Sequence, residues 1–255
     1  MHPTLDLDFV EIPLYTALVI LGMTAGLVST WLYLRVRLRR AAGWWVFLDG
    51  ALIVFIASWI GARAYHVAMQ WDYYSARPDE IAQIGLGGLA MRGALMAGFI
   101  VLVIYARWRR LAFAKIADAC ALGLALGQAI GWTGALVQGA NYGVVSDTQV
   151  AMDLPDLYGL VAPRFPLQHA EIFLFAALFV GLVILAYAKP QPGVVFAIYL
   201  LVASTGNLML GFQRGDETLY IGELRVDQWV DALGIAAALL FWWLTRREGK
   251  VGINQ

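Results

Sequence analysis

The stretch from Ala117 to Gly143, ADACALGLALGQAIGWTGALVQGANYG, decides how the chain is to be read. Gly123, Gly127 and Gly131 recur every four residues. On a helix they fall on one slowly drifting face, where missing side chains let a second helix backbone come close. The apolar run then breaks into Gln138, Gly139, Ala140, Asn141, Tyr142 and Gly143, a polar, glycine-rich turn at the expected membrane surface. Such a turn either holds a lipid headgroup or simply ends a helix, and this stretch alone leaves both open.

Outward from it, the composition agrees with a membrane setting. The chain of 255 residues is 61% hydrophobic and 14% charged, against about 25% charged in soluble domains. Seven apolar runs reach the roughly 20 residues a bilayer requires: 12–34, 45–69, 86–106, 117–137, 168–188, 194–212 and 227–245. The expected fold is an all-α membrane protein of seven transmembrane helices forming one polytopic domain over 1–255. Two runs carry polar groups that should face protein or water: Asp49 and Arg63 in the second, and Ser204 to Asn207 in the sixth. The first apolar run has no basic residues ahead of it and no small-residue cleavage site, so it reads as an anchor.

Lys and Arg collect after the first span (Arg35, Arg37, Arg39, Arg40), between the third and fourth (Arg107, Arg109, Arg110, Lys115), after the fifth (Lys189) and after the seventh (Arg246, Arg247, Lys250). Cytoplasmic loops are enriched in these residues, so the reading puts the N-terminus outside and the C-terminus inside. The opposite ends hold Asp6, Asp8 and Glu11, Asp72, Asp79 and Glu80, Asp147, Asp153 and Asp156, and Asp216, Glu217 and Glu223. On that reading the long loop between helices 4 and 5, about 138–167, is periplasmic, and its length points to function. The formal net charge of +0, sorted by membrane side, gives no nucleic-acid partner.

Charges at membrane depth cost about 2.5 to 3.5 kcal/mol each on insertion scales and so call for a partner or a task. Arg63 and Arg92 lie at similar depth near the outer ends of spans 2 and 3, where two guanidiniums could clamp a phosphate. Alternatively each pairs with an acid such as Glu171 or snorkels to the interface. Gln138, Asn141 and Tyr142 in the turn, with Gln168, His169 and Glu171 opening the fifth span, complete the candidate lipid-binding set. His66 and His169 read first as hydrogen-bonded structural residues, with a general base or a haem or pigment ligand as alternatives. No His/Cys/acid spacing suggests a metal, no cofactor is expected, and Cys120 lies in an apolar run as a small buried hydrophobe.

Several segments together resemble the prolipoprotein diacylglyceryl transferase family. They are Pro13-Leu14-Tyr15 with Gly22, Ile60-Gly61-Ala62-Arg63, Trp71-Asp72-Tyr73-Tyr74 through Pro78, and Gly87 to Gly93. Asp118, Gly139 to Gly143, the Pro166, Gln168 and Glu171 element, Pro192-Gly193, Tyr199 and Gln228 continue it. The resemblance covers nearly the whole chain. It implies a seven-span enzyme of the bacterial inner (plasma) membrane that moves a diacylglyceryl group from phosphatidylglycerol to a lipoprotein cysteine, with an anionic phospholipid as partner. The same comparison locates departures: a histidine of the family is Arg92 here, an arginine is Trp132, asparagines are Ala135 and Gln138, and a glutamate is Ala140. A histidine and a tyrosine are Phe165 and Ala170, and an arginine and a glutamate fall near Asn207 and Gly211. These losses lead to the expectation of a non-catalytic member, a pseudoenzyme serving as a lipid-binding or assembly subunit beside other membrane proteins. An active lipid transferase is the alternative.

Overall fold

The computed structural model describes residues 4–6, 11–37, 43–83 and 87–251. Asp8, Arg39 and Arg40, invoked for orientation, lie outside the described residues, as does His2. The long helices are α1 (Leu14–Arg37), α2 (Trp44–Met69), α4 (Met91–Trp108), α5 (Phe113–Gln138), α6 (Leu167–Tyr187), α7 (Val194–Gly211) and α8 (Val226–Val251), with a short α3 (Trp71–Ser75). Among the described residues, seven helices are long and apolar enough to cross a membrane, as the sequence reading requires. Most of their apolar surface is left exposed, a state that suits lipid and not water. The chain is therefore a seven-helix, all-α membrane protein.

Among the described residues there are three two-stranded antiparallel sheets: β1 (Thr4–Asp6) with β2 (Glu11–Pro13) ahead of α1, β3 (Met152–Pro155) with β4 (Val161–Arg164) between α5 and α6, and β5 (Tyr220–Ile221) with β6 (Leu224–Arg225) between α7 and α8. The contacts divide the chain into two compact units, Met1–Arg35 with Ala114–Gln255, and Val36–Phe113.

In the first unit the glycine face of α5 meets its counterpart on α1. A Cβ on Gly26 would stand 2.7 Å from the Gly123 carbonyl oxygen, and one on Gly22 would stand 2.8 Å from that of Gly127. The expected seam thus forms at Gly123 and Gly127. Gly131 has open space around its Cβ position, and the close approach continues instead at Gly134, beside Tyr15. Between α5 and α7, the Asp118 carboxylate accepts from the Gly193 amide at 2.8 Å and the Phe196 amide at 2.9 Å, satisfying donors at the start of α7. Deeper in, the Tyr199 hydroxyl donates to Gln128 Oε1 at 2.6 Å. Phe175, Leu167, Leu182 and Val195 fill the core of this unit.

In the second unit α2 and α4 pack through Gly61 and Gly93, each backbone lying where the other's Cβ would be. The third span starts at Met91, five residues later than the apolar run suggests. Gly87 and Gly88 have φ of +85° and +78°, which no helix accommodates.

Candidate functional site

At the C-terminal end of α5 the chain turns through Gly139 (φ +69°) and Asn141 (φ +51°), the left-handed region open to glycine and tolerated by asparagine. The segment that follows is stitched between two others. The Val144 amide donates to Gln213 O at 2.9 Å and the Gly215 amide to Tyr142 O at 2.9 Å. On the other side the Phe165 amide donates to Val144 O and the Ser146 amide to Pro163 O, both at 3.0 Å. Gly143 has the Phe165 carbonyl where a Cβ would project, so the close approach demands glycine there.

Three arginines sit within this frame. Arg164, at the end of β4, donates to Asp156 Oδ2 at 3.0 Å and to the Gly143 carbonyl at 3.4 Å, and its guanidinium stacks 4.6 Å from the Tyr142 ring centroid. Arg214 donates from Nε and Nη2 to the two Asp216 oxygens at 2.9 and 2.6 Å, and from Nη2 to Asn141 Oδ1 at 3.1 Å. Its Nη1 lies 3.8 Å from Asp227 Oδ2, too far for a hydrogen bond. Arg225 donates to Asp216 Oδ1 at 3.2 Å and to the backbone carbonyls of Asp216 and Arg214. Gln228 ties the start of α8 in: its Oε1 accepts from the Arg225 amide at 3.0 Å and its Nε2 donates to Leu208 O at 3.2 Å.

The electrostatics follow from this pairing. Burial would lower the Arg214 pKa, but the hydrogen bond and charge of Asp216, then the charges of Asp227 and Glu171, hold it above its ordinary value. Burial would likewise raise the Asp216 carboxyl, yet Arg214 and then Arg225 outweigh that and keep it below the usual carboxylate range. Burial pushes the Tyr142 phenol up, and the Asp156 charge pushes it in the same direction.

Of the residues singled out from the sequence, four converge here. Asn141 accepts from Arg214, Tyr142 underlies Arg164, Gln168 donates to the Ala140 carbonyl at 3.1 Å, and Glu171 is buried and senses Arg214. Gln138 is the last, half-buried residue of α5, and His169 is exposed. Trp132 and Phe165 are half-buried, Ala135 is buried, and Ala140 is half-buried with its carbonyl in use.

Arg63 and Arg92 belong to the second unit. The Arg63 guanidinium is enclosed by backbone: Nε donates to Ile81 O at 2.9 Å, Nη1 to Gly87 O at 2.8 Å and Gly88 O at 3.3 Å, and Nη2 to Glu80 O at 2.7 Å and Gln83 O at 3.3 Å. Arg92 is half-buried in the first turn of α4. The His66 ring meets Tyr74 edge-on, 5.9 Å between centroids. Among the described residues no group of His, Cys, Asp and Glu has the arrangement of a metal site.

The sequence reading missed Arg164, Arg214 and Arg225 altogether and took Asp156 and Asp216 only as markers of a membrane side. A signal was present. These arginines stand within the acid-rich ends, against the sorting of the other basic residues, and each has an aspartate within nine residues. A cation on the wrong side of such a sorting suggests a buried pair.

Fold and cluster together define a polytopic membrane protein with a dense, buried, hydrogen-bonded polar cap on one end of its larger unit. The family described as prolipoprotein diacylglyceryl transferase matches residues 4–244. The phosphatidylglycerol–prolipoprotein diacylglyceryl transferase of Bacillus licheniformis is 35% identical over 239 residues, covering 91% of this chain and 88% of that protein. The similarly named protein of Geobacillus kaustophilus is 33% identical over 250 residues, with 93% and 90% coverage, and that of Symbiobacterium thermophilum is 32% identical over 214 residues, with 81% and 80%. The chain belongs to the prolipoprotein diacylglyceryl transferase family, a family of bacterial inner-membrane proteins, and is itself a multi-pass protein of that membrane.

Proposed function

We propose that the chain performs the reaction for which its relatives are named, moving a diacylglyceryl group from phosphatidylglycerol to a prolipoprotein cysteine. The observation that carries this is the 35% identity to a protein of that name across 91% of the chain. In the transfer the thiol sulfur bonds to the glycerol carbon, the bond from that carbon to the phosphate oxygen breaks, and glycerol phosphate leaves, its freed oxygen taking up the proton that the thiol gives. The leaving phosphate needs a cation in a dry setting. Arg214 is suited to it, because its Nη1 makes no hydrogen bond among the described residues while its other nitrogens are fixed by Asp216 and Asn141. Asn141, Tyr142, Gln168 and Glu171 shape the headgroup site around it. Arg63, whose donors already meet carbonyls, positions the backbone at 80–83 and at 87–88. The same proposal puts the N-terminus outside and the C-terminus in the cytoplasm.

A second reading has its own support. Trp132, Ala135, Ala140, Phe165 and Ala170 stand where the resemblance implies arginine, asparagine, glutamate, histidine and tyrosine, and loss of one oxyanion donor typically slows a reaction about 100- to 1000-fold. On this reading the chain binds phospholipid without turning it over and serves a larger membrane assembly. Expression in cells depleted of their own transferase separates the two. Restored growth, with diacylglyceryl found on a reporter lipoprotein by mass spectrometry and lost in Arg214→Gln, supports transfer. Stable membrane insertion without lipidation of the reporter refutes it in favour of the binding role.

A further inference from the structure

The second unit carries a feature unrelated to the polar cap, at the end where α2 begins and α4 finishes. Trp45, Leu48, Asp49 and Leu52 fall at i, i+3, i+4 and i+7 along one face of α2, and with Arg109 they line a cleft of about 290 Å³. Trp45 is 79% exposed and Leu52 58%, so the face is open to the lipid and its interface. Asp49 and Arg109 form an ion pair at 3.1 Å, and both are supported by Tyr105, whose hydroxyl donates to Asp49 Oδ2 at 3.3 Å and accepts from Arg109 Nε at 3.3 Å. The one hydroxyl hydrogen of Tyr105 is shared between Asp49 Oδ2 and the nearer Val46 O at 2.9 Å, and its ring is buried, which anchors the pair to the helix interface.

Asp49 and Arg109 are only half-covered, their side chains 46% and 39% exposed. Among the described residues Asp49 Oδ1 accepts no hydrogen bond and Arg109 Nη1 donates none. An open acceptor and an open donor therefore stand side by side, at the mouth of a leucine-lined cleft at a span end. Their charges are opposite, their sum is zero, and Trp45 offers an aromatic face beside the acid.

The geometry points to a headgroup site for a zwitterionic aminophospholipid, the phosphate on Arg109, the primary ammonium on Asp49 and Trp45, and an acyl chain along Leu48 and Leu52. An antiparallel pair of dipolar groups satisfies both open atoms at once, which neither a purely anionic nor an uncharged headgroup does. Phosphatidylethanolamine has that chemistry. Phosphatidylglycerol meets Arg109 and leaves Asp49 facing a like charge.

The test is native mass spectrometry of the detergent-purified full chain, incubated with phosphatidylethanolamine, phosphatidylglycerol and N-acetylated phosphatidylethanolamine of matched acyl chains. Wild type should retain phosphatidylethanolamine about two- to fivefold over each of the others, the range expected of one partly exposed ion pair. Asp49→Asn should abolish that preference, Arg109→Gln should lower retention of all three, and Asp153→Asn, in β3, should change nothing. Equal retention of the three lipids by wild type, or an unchanged preference in Asp49→Asn, overturns the assignment. The acetylated lipid keeps the test decisive where a variant fails to fold. Neither residue belongs to the polar cap, so failure here leaves the proposed transfer standing, and Asp49→Asn should complement as wild type does.

Discussion

Removing Asp156 tests how the hairpin of the long loop is held. Its carboxylate accepts three hydrogen bonds: from the Tyr158 and Leu160 amides, both at 2.9 Å, and from Arg164 Nη2 at 3.0 Å. The two side chains are 8% and 7% exposed, so Asp156→Ala strands a buried guanidinium that keeps only a 3.4 Å contact to the Gly143 carbonyl and the Tyr142 ring. Breaking a buried pair from one side costs about 3–5 kcal/mol. Asp156→Asn retains an oxygen for the two amides and should recover about 1–2 kcal/mol of that, near 1 kcal/mol per neutral hydrogen bond. The double variant Asp156→Asn, Arg164→Met removes both charges and should be more stable than Asp156→Ala, because a buried pair replaced by neutral groups of similar size is often nearly neutral. Hydrogen exchange of the Tyr158 and Leu160 amides in detergent reads the turn directly, and a thermal midpoint reads the whole. Asp156→Ala should expose both amides and lower the midpoint on the order of 10 °C. Protection at wild-type level in Asp156→Ala, or a double variant no better than it, would refute the account of a pair that locks β3 to β4.

The glycine seam predicts opposite outcomes at neighbouring positions: Gly123→Val drives a side chain into the Gly26 carbonyl and Thr30 and should cost about 1–3 kcal/mol, whereas Gly131→Ala meets open space and should be neutral or mildly stabilising in thermal unfolding. Asp118→Ala leaves the Gly193 and Phe196 amides without their acceptor and should lower stability by roughly 2 kcal/mol, with Asp118→Asn losing about half as much. Asp216 has its folded pKa depressed, so its contribution to stability is complete above its unfolded value and is lost as pH falls through the lower folded value. Acid titration of unfolding should therefore show an extra loss below about pH 4 that is absent in Asp216→Asn. An unchanged acid limb in that variant would count against the Arg214 pairing.

What could be read in the sequence were the properties carried by side-chain type and spacing. Apolar runs set the seven spans to within a few residues, and the i, i+4 glycines of α5 marked the face that meets α1. Gly131 shows the limit of such a repeat: its amide nitrogen lies 3.5 Å from where a Gly22 Cβ would stand, so α1 is still beside it, but its own missing Cβ points into open space and the face that α1 meets has drifted to Gly134. The late start of α4 and the enclosure of Arg63 have one cause. Gly87 and Gly88 hold conformations that turn their carbonyls to the guanidinium, and backbone acceptors have no letter in the sequence. For the polar cap, Asn141 and Arg214 are 73 residues apart and meet only because the 142–146 segment lies between 213–215 and 163–165. No local pattern encodes that contact.

Stability and chemistry are supported by separate residues in this chain, and that separation is what lets both functional readings stand on one fold. The glycine seam, the Asp118 cap and the turn through Gly139 and Asn141 depend on backbone approach and backbone donors. None of them requires a polar side chain at 132, 135 or 140. Ala140 illustrates it: a methyl replaces the glutamate the resemblance implies, yet its carbonyl still accepts from Gln168, so the local frame survives the loss of the charge. The proposed transfer has no such redundancy among the described residues of the first unit. Of the three arginines in the cap, Arg164 and Arg225 have side chains 7% and 3% exposed and lie over Tyr142 and Tyr220, while Arg214 is 14% exposed and its Nη1 has only the longer ion-pair contact to Asp227 at 3.8 Å. In the proposed transfer Arg214 is the group that meets the phosphate, and Arg214→Gln separates a catalyst from a scaffold while leaving the glycine seam in place.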